Sequence, residues 1–499
     1  MARRLNGTVK YRIPDGVRPL SVQHRPVLST PQGGRVALDT TLLSLWRSAD
    51  GRQLEEIIAH FRGLGHSEVT VRAALACLAQ AGLLVREGES RAVPDDAPES
   101  GDLVSAVIVS YNSREWLEEC ISALVCQTYT PIEILVVDNG SSDGSADWLQ
   151  AHYPSMRLVR LPKALSLAGA LNKGVSAANG QYLLVLNPDA RLERGAVARM
   201  VAVAREDTAC AAVAPKLRFS WAPPFLNGLG NYAGAFSWGT DAGLGHLDLA
   251  QFDHWKAVSS ACFAAALIRR EAWDKIGPLD EGFPLYYEDL EWSYRARLFG
   301  YAVQPAPEAI VYHALGIRSP SGSEGRLGPD KLRNVVYGRL RFAAKLLGFG
   351  MVIRFLTAYL IEDAMGLLGA AVRGRWGKAR AYWQAWSRFR QELAGILGAR
   401  RLIQAQRSIS DTDLLSLQKQ APAPFVWHGL PELTWDLVST NYLPVLLDKK
   451  GGVPELAAFQ ARIEYPGRLA RAFRILRADG LSMLSHRILR YLHWFASQP

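Results

Sequence analysis

The chain has 499 residues, enough for about three domains of ordinary size. Hydrophobic residues at 49% and charged residues at 21% exclude a disordered or collagen-like polymer. The net charge of +10 is concentrated, because residues 326–410 hold 16 Lys/Arg against 4 Asp/Glu and so carry +12 by themselves. A local basic zone points to an acidic partner at one surface and away from a protein that coats nucleic acid along its length.

The first residues, MARRLNGTVKYRIPDG, are basic but lack an apolar core, so no secretory signal is expected. The five cysteines include no CxxC pair, which excludes a disulfide scaffold and a cysteine zinc site and fits a reducing compartment. Residues 1–92 read as a small separate unit. GGRVALDTT suggests a strand running into a turn, and LLSLWRSADG, QLEEIIAHF and TVRAALACLAQAGLLVRE have helical apolar spacing, the last followed by a short strand. Helices closed by a β-wing suggest a winged helix, with no helix dense enough in Arg/Lys to read DNA. Residues 93–102, with prolines, acids and Ser/Gly, form a linker.

From residue 103 strands alternate with helices. LVSAVIVSY and IEILVVDNGS are apolar runs suited to buried strands, separated by the helix SREWLEECISALVCQ with Ser113 as its expected N-cap. MRLVRLP, a helix through ALNKGVSAAN, and QYLLVLNPDA continue the alternation. Near-continuous apolar strands between helices predict a largely parallel sheet covered on both faces. Ligands bind such sheets beyond the C-terminal strand ends, here at SYNS, DNGSSDGS and NPDA.

After about residue 331 the chain becomes helical, aromatic and basic. VIRFLTAYLIEDAMGLLGAAV resembles a membrane span but is interrupted by Arg354, Glu362 and Asp363, so a span is not expected. Together with RGRWGKARAYWQAWSRFRQEL it suits either helices lying on an anionic membrane or helices packed on the preceding domain. Residues 402–465 offer no motif.

Several residues carry chemistry. Asp138 ends a strand before a loop of small residues; it suits ribose or base hydrogen bonds, or helix capping. Asp189, in LNPDA, suits Mg²⁺ or Mn²⁺ shared with substrate phosphates, or simply a turn. Glu288, Asp289 and Glu291 open a helix, where the helix dipole favours acids; Tyr286, Tyr287 and Trp292 beside them suggest a sugar-contacting wall, and a carboxylate there suits general-base work. His313 ends a later apolar segment and is either structural or a ligand, imidazole suiting Mn²⁺ better than Mg²⁺.

In order, VIVSYNS, VVDNGSSDGS, ALNKGVSAANGQYLLVLNPDA, LIRREAWDKIGPLDEGFPLYYEDLEWSYRARLFGY and VYHALG resemble family 2 glycosyltransferases of the GT-A fold, closest to the rhamnosyl- and galactofuranosyl-type branch. The resemblance implies an α/β, Rossmann-like mixed sheet over residues 103–325, followed by a basic amphipathic helical region (326–410) and a mostly helical end (411–499). It also implies that Tyr111, Asn112 and Asp138 bind the nucleotide. Asn187 takes the first position of the family's DxD motif and Asp189 the last. Asp189 and His313 would hold Mn²⁺ or Mg²⁺, Asp289 would be the general base, and Glu288 would support it. Two departures stand out: KALSLAGA replaces the family's usual Asn-x-Gly-type loop, and Asn187 removes one ligating charge. The implied reaction is an inverting, metal-dependent transfer of a hexosyl or deoxyhexosyl group from a nucleoside-diphosphate sugar. Its acceptor is a membrane-associated glycan or lipid-linked oligosaccharide, in a cytoplasmic enzyme peripheral at the inner face of the cell membrane; no nucleic acid is expected as a partner. GGRVALDTT, SADGRQLEEI and LACLAQAGLL resemble the PqqD-type winged helix that grips leader peptides, which makes a peptide acceptor the alternative. A catalytically silent nucleotide-binding scaffold is a third reading, disfavoured by the presence of both Asp189 and Asp289.

Overall fold

Alternation along each central strand settles the architecture. Val104, Ala106 and Ile108 face one apolar layer, while Val107 and Val109 face the other. Leu184 and Leu186 against Leu183 and Val185 repeat the pattern on the neighbouring strand. The structure, a computed structural model, describes residues 99–220, 226–233, 239–244, 248, 252–315 and 328–420, with shorter stretches between 10 and 87.

In the N-terminal part, β1 (Lys10–Arg12) pairs with β5 (Val85–Glu87), and β2 (Arg18–Val22), β3 (Arg25–Ser29) and β4 (Arg35–Ala37) form an antiparallel sheet. Helices α1 (Thr40–Ala49) and α2 (Leu54–Gly63) lie where their apolar spacing places them. The third expected helix falls largely outside the described residues.

The main sheet contains β6 (Glu99–Ser110), β7 (Tyr129–Asp138), β8 (Arg157–Arg160), β9 (Tyr182–Leu186), β10 (Ala190–Leu192), β11 (Cys210–Phe219), β12 (Leu226–Leu229), β15 (Ala265–Arg269) and β16 (Ala302–His313); β13 (Asn231–Ala233) and β14 (Gly239–Asp241) form a separate ribbon. Its order is β10-β16-β11-β15-β9-β6-β7-β8, with β12 on β11. The half β9-β6-β7-β8 is parallel, and antiparallel pairing of β15 with β9 begins the mixed half. Strand β6 begins inside the expected linker: Glu99 and Ser100 pair with Tyr129 and Thr130, and the Tyr129 hydroxyl donates to the Asp102 carbonyl at 2.7 Å. A register shift between Ser100 and Val104 lets this polar stretch pair. Around the sheet lie α3 (Arg114–Val125), α4 (Ser145–His152), α5 (Leu167–Ala177), α6 (Ala196–Glu206) and α7 (Arg270–Ile276).

Helix α8 (Glu288–Leu298) joins the sheet to the C-terminal helices α9 (Pro329–Leu346), α10 (Phe349–Val372), α11 (Trp376–Ala405) and α12 (Asp411–Ser416). Tyr287, Tyr294, Phe342, Tyr359 and Phe389 share one buried cluster across them. The expected helical end 411–499 lies outside the described residues beyond 420. Much of the basic zone is spent internally. The Arg341 guanidinium donates to Asp280 at 2.9 and 2.8 Å, Lys345 bonds both Asp280 and Glu291 (2.8 Å to Glu291), and Arg339, fully buried, pairs with Glu362 (2.7 Å) and Asp363. The two acids that interrupt the apolar run of α10 therefore face inward. By length and a mean hydropathy of 1.4, α10 is long and apolar enough to cross a membrane, and 28% of that stretch is buried in the protein.

Burial alone would raise the Asp280 carboxyl pKa, but Arg341 and Lys345 hold it well below the usual carboxylate range. A depressed carboxylate stabilises the fold above its unfolded pKa, and the contribution is lost as pH falls. Asp280→Asn should cost about 3 kcal/mol in urea unfolding at pH 7 by leaving two buried cations undercompensated. The gap from wild type should narrow below about pH 4; equal stability at pH 7 would rule out this clamp.

Candidate active site

Three strand tips and one helix start meet at the C-terminal edge of the parallel half. Ile108 of β6 is level with Leu186 of β9, and Ser110 with Asp138 of β7, so the loops after these strands are neighbours. Tyr111 is 55% exposed. Asn112 has a left-handed backbone, with φ 50°. Its amide oxygen accepts from the Ser142 backbone N–H at 2.8 Å, and its own N–H donates to Ser141 Oγ at 3.0 Å, so it stitches the first two loops together. Gly140, at φ 76°, lets the second loop touch the backbone of 163–164, where a Cβ would stand 3.0 Å from the Ala164 nitrogen.

Asp138 is buried at the end of β7. One carboxylate oxygen accepts from the Ser141 N–H at 3.4 Å, and the other, Oδ1, has no partner among the described residues. It is not a helix cap. Asp143 accepts from the Ser145 N–H at 3.0 Å and from the Arg114 N–H at 2.9 Å, serving the starts of both α4 and α3. Burial alone would raise the Asp143 pKa, but these hydrogen bonds hold it below its ordinary value. The Ser113 hydroxyl, expected to cap α3, donates instead to the Tyr111 carbonyl at 3.0 Å.

The second cluster is Asn187, Asp189 and His313. Ala190 pairs with His313 across β10 and β16, which brings His313 Nε2 to 3.4 Å from Asp189 Oδ1 and 3.4 Å from Asn187 Nδ2. On the other side of the ring, Nδ1 is 2.7 Å from Asn227 Oδ1. An amide oxygen only accepts, so Nδ1 donates to Asn227, which fixes the ring with Nε2 toward Asp189. Asn227 Nδ2 in turn donates to Asp241 at 3.1 Å, and burial followed by the nearby Asp289 charge pushes the Asp241 carboxyl up to about 7.

The third cluster opens α8. Asp289 Oδ2 accepts from Asn231 Nδ2 at 2.7 Å and from the Phe263 N–H at 3.4 Å, and Oδ1 accepts from the Leu290 N–H at 2.7 Å. Phe263 adjoins Ala264, whose carbonyl accepts from the Asn187 N–H at 2.9 Å, so short links run from Asn187 to Asp289. Glu288 is buried with Oε2 unpartnered among the described residues. Burial, then mutual repulsion with Asp289, raises the Glu288 pKa; burial likewise raises that of Asp289 against its hydrogen bonds. Tyr286 and Tyr287 immediately before them are both left-handed, at φ 70° and 75°. That conformation costs about 1–2 kcal/mol for each non-glycine residue. The surroundings hold it: Tyr287 packs on Phe342 and its hydroxyl accepts from the Gly239 N–H at 3.0 Å, while Lys331 lies 5.2 Å from the Tyr286 ring centre.

The expected aromatic wall is mostly core. Tyr287 and Trp292 are buried, Trp292 stacking on Trp273, and Tyr286 alone of the three keeps partial exposure. Glu291 is structural, buried between Lys345 and Arg295. Asn227, Asn231 and Asp241 had no signal in the sequence, because Asn and Asp around glycines read as turns. Among the described residues, no three His, Cys, Asp or Glu side chains gather as a metal set. The available donors are one carboxylate, one oriented imidazole and a neighbouring amide, a set that suits a hard divalent ion sharing its coordination with a diphosphate.

Residues 105–277 match the profile of Glycosyl transferase family 2. The chain is 24% identical over 237 residues to the N-acetylglucosaminyl-diphospho-decaprenol L-rhamnosyltransferase of Mycobacterium tuberculosis, covering 42% of this chain and 76% of that protein. It is 35% identical over 91 residues to glycosyltransferase GlyG of Streptococcus pneumoniae, covering 18% and 30%. Among solved structures, GalNAc-T7 with UDP, GalNAc and Mn²⁺ superposes with a TM-score of 0.44 at 15% identity over 68% of this chain and 58% of that one. The mannosyltransferase PcManGT of Pyrobaculum calidifontis with GDP-Man and Mn²⁺ gives 0.37 at 16% identity over 70% and 97%. Residues 105–277 thus form a Glycosyl transferase family 2 domain on an α/β mixed sheet, and the chain is an enzyme of sugar transfer.

Burial and the Asp289 charge push the Glu288 carboxyl up to about 8, so Glu288 is neutral on the acid limb and Glu288→Gln should leave that limb of the pH–rate profile in place. A buried acid with a raised pKa loses its stabilising contribution as pH rises, so this variant should gain stability over wild type with increasing pH. A shifted acid limb would show Glu288 charged where Asp289 titrates.

Proposed function

We propose that the enzyme inverts the anomeric centre in one displacement, moving a sugar from a nucleoside-diphosphate donor to a hydroxyl of a membrane-associated glycan or lipid-linked oligosaccharide. The observation that carries this reading is the continuous polar chain from Asp189 through His313, Asn227 and Asp241 to the neighbourhood of Asp289 and Asn231. This continuity supports a site for the leaving diphosphate beside a site for the attacking hydroxyl.

Tyr111 offers an open ring to the base, and the unpartnered Asp138 oxygen is a ready acceptor for base N–H or ribose hydroxyls. Asp289, its orientation fixed by three donors, takes the proton of the acceptor hydroxyl as the new O–C1 bond forms and the bond to the diphosphate breaks. Burial raises the pKa of that carboxylate, and Glu288 beside it would support it. Asp189 and His313 would hold Mn²⁺ or Mg²⁺, with Asn187 as a neutral neighbour. A bound ion of this kind supplies Lewis-acid stabilisation of the departing diphosphate. No second carboxylate nucleophile is required, in contrast to retaining glycosidases.

The named rhamnosyltransferase relative and the exposed apolar helices support this acceptor class. We read the enzyme as cytoplasmic and peripheral at the membrane, a reading that the exposed apolar helices support. A peptide acceptor gripped by the N-terminal unit rests on its PqqD-like motifs, and transfer to lipid-linked oligosaccharide without any peptide would remove that rival.

With Mn²⁺ and a panel of UDP-, dTDP- and GDP-sugars, purified protein should release nucleoside diphosphate. Asp289→Asn should lower this release by about 10²–10⁴-fold with nucleotide binding retained; normal turnover by the variant would refute the base assignment, and no turnover by wild type with any donor would favour a silent scaffold. Asn227→Ala should weaken Mn²⁺ affinity in the presence of nucleotide, read by electron paramagnetic resonance, by about 10–100-fold. Unchanged affinity would exclude His313 as a ligand oriented by Asn227.

A further inference from the structure

Helix α10 has two unlike faces. Inward, Tyr359 and Ala370 are buried, and Glu362 and Asp363 meet Arg339. Outward, a rotation of 100° per residue gathers Ile353, Leu360, Ile361, Met365, Leu368 and Val372, from 38% exposed at Met365 to 87% at Val372. Arg354 is the one charged residue on that face. At 1.5 Å per residue the stripe runs for about 30 Å, far longer than the scattered apolar exposure ordinary on a monomer. The next helix continues it with Trp376 and Trp383, 69% and 68% exposed and two turns apart on one face, beside exposed Arg375, Arg380 and Arg390.

We propose that the outer face of α10 and the first half of α11 lie in the plane of an anionic bilayer surface, apolar side chains in the acyl boundary and the arginines on lipid phosphate. Charge decides against a second copy of the chain as occupant. Residues 349–405 contain three acids, Glu362, Asp363 and Glu392, and all are engaged by Arg339 or Arg341. A two-fold contact through this face would therefore set arginine against arginine with no acid to answer it, whereas phospholipid headgroups supply the missing negative charge. Crossing the bilayer is disfavoured because the inner face of α10 packs on α9 and α11 and bears an ion cluster, so lipid can meet one side of the helix only. The inference gives the acceptor reading above a physical surface. It depends on that reading for its purpose and not for its binding.

Full-length protein should cosediment with vesicles of phosphatidylcholine containing about a third phosphatidylglycerol, and far less with phosphatidylcholine alone or at high salt. Ile361→Glu with Leu368→Glu should weaken this binding at least tenfold with donor hydrolysis in solution and the circular dichroism spectrum unchanged. Arg375→Gln with Arg380→Gln should weaken binding about tenfold or more to anionic vesicles and leave any binding to neutral ones alone. Wild type remaining in the supernatant with both vesicle types would overturn the proposal, whatever its turnover. So would undiminished vesicle binding by the double-Glu variant, or a loss of dimer in that variant with vesicle binding intact.

Discussion

One buried ionic clamp fixes the geometry on which the site depends. Asp280, from the loop after α7, and Glu291, from the first turn of α8, share Lys345, and Arg341 grips Asp280 from the same helix. Charges this deep are tolerable only when each is answered, so α9 has one seating on the sheet domain. Gly338 on α9 permits that seating, since a Cβ there would stand 2.6 Å from the Tyr287 ring. The helix that presses on Tyr287 thereby helps hold the two left-handed tyrosines that aim Glu288 and Asp289. The C-terminal helices are thus part of the frame that holds Glu288 and Asp289 and no detached appendage.

The sheet was legible because its strands are buried on both sides. Runs such as LVSAVIVSY and YLLVL have no polar face to hide, and the polar tips that follow them mark the ligand edge. Legibility failed where partners are distant in sequence. Glu99–Asp102 looked like linker by composition, yet it pairs with Tyr129 and Thr130. Basic residues from 326 onward looked like a surface for an external acid, yet Arg339, Arg341 and Lys345 serve the protein's own carboxylates. No local pattern reveals which arginine is inside.

The site was readable in the same uneven way. Strand-end residues Asp138, Asn187 and Asp189 and the acids at 288 and 289 stand out as candidates because position along an element predicts where they point. Ser113 and the aromatic wall failed because proximity in sequence was taken for contact. Trp292, four residues beyond Glu288, turns inward to stack on Trp273. Asn227, Asn231 and Asp241 escaped because their importance lies in what they touch, a histidine and an aspartate dozens of residues away. The strain at Tyr286 and Tyr287 was equally silent, since tyrosine gives no hint of a positive φ.

The placement of those three polar residues has an evolutionary side. They ride on β12 and on the β13–β14 ribbon, at the rim of the fold, whereas Asp138 and Asp189 follow strands deep in the packed layers. Exchange of the rim leaves the central packing intact, while exchange of a strand tip disturbs two layers at once. A lineage built this way can alter the polar groups set beside the strand tips by exchanging short elements that lie off the main strand order, without rebuilding the two apolar layers.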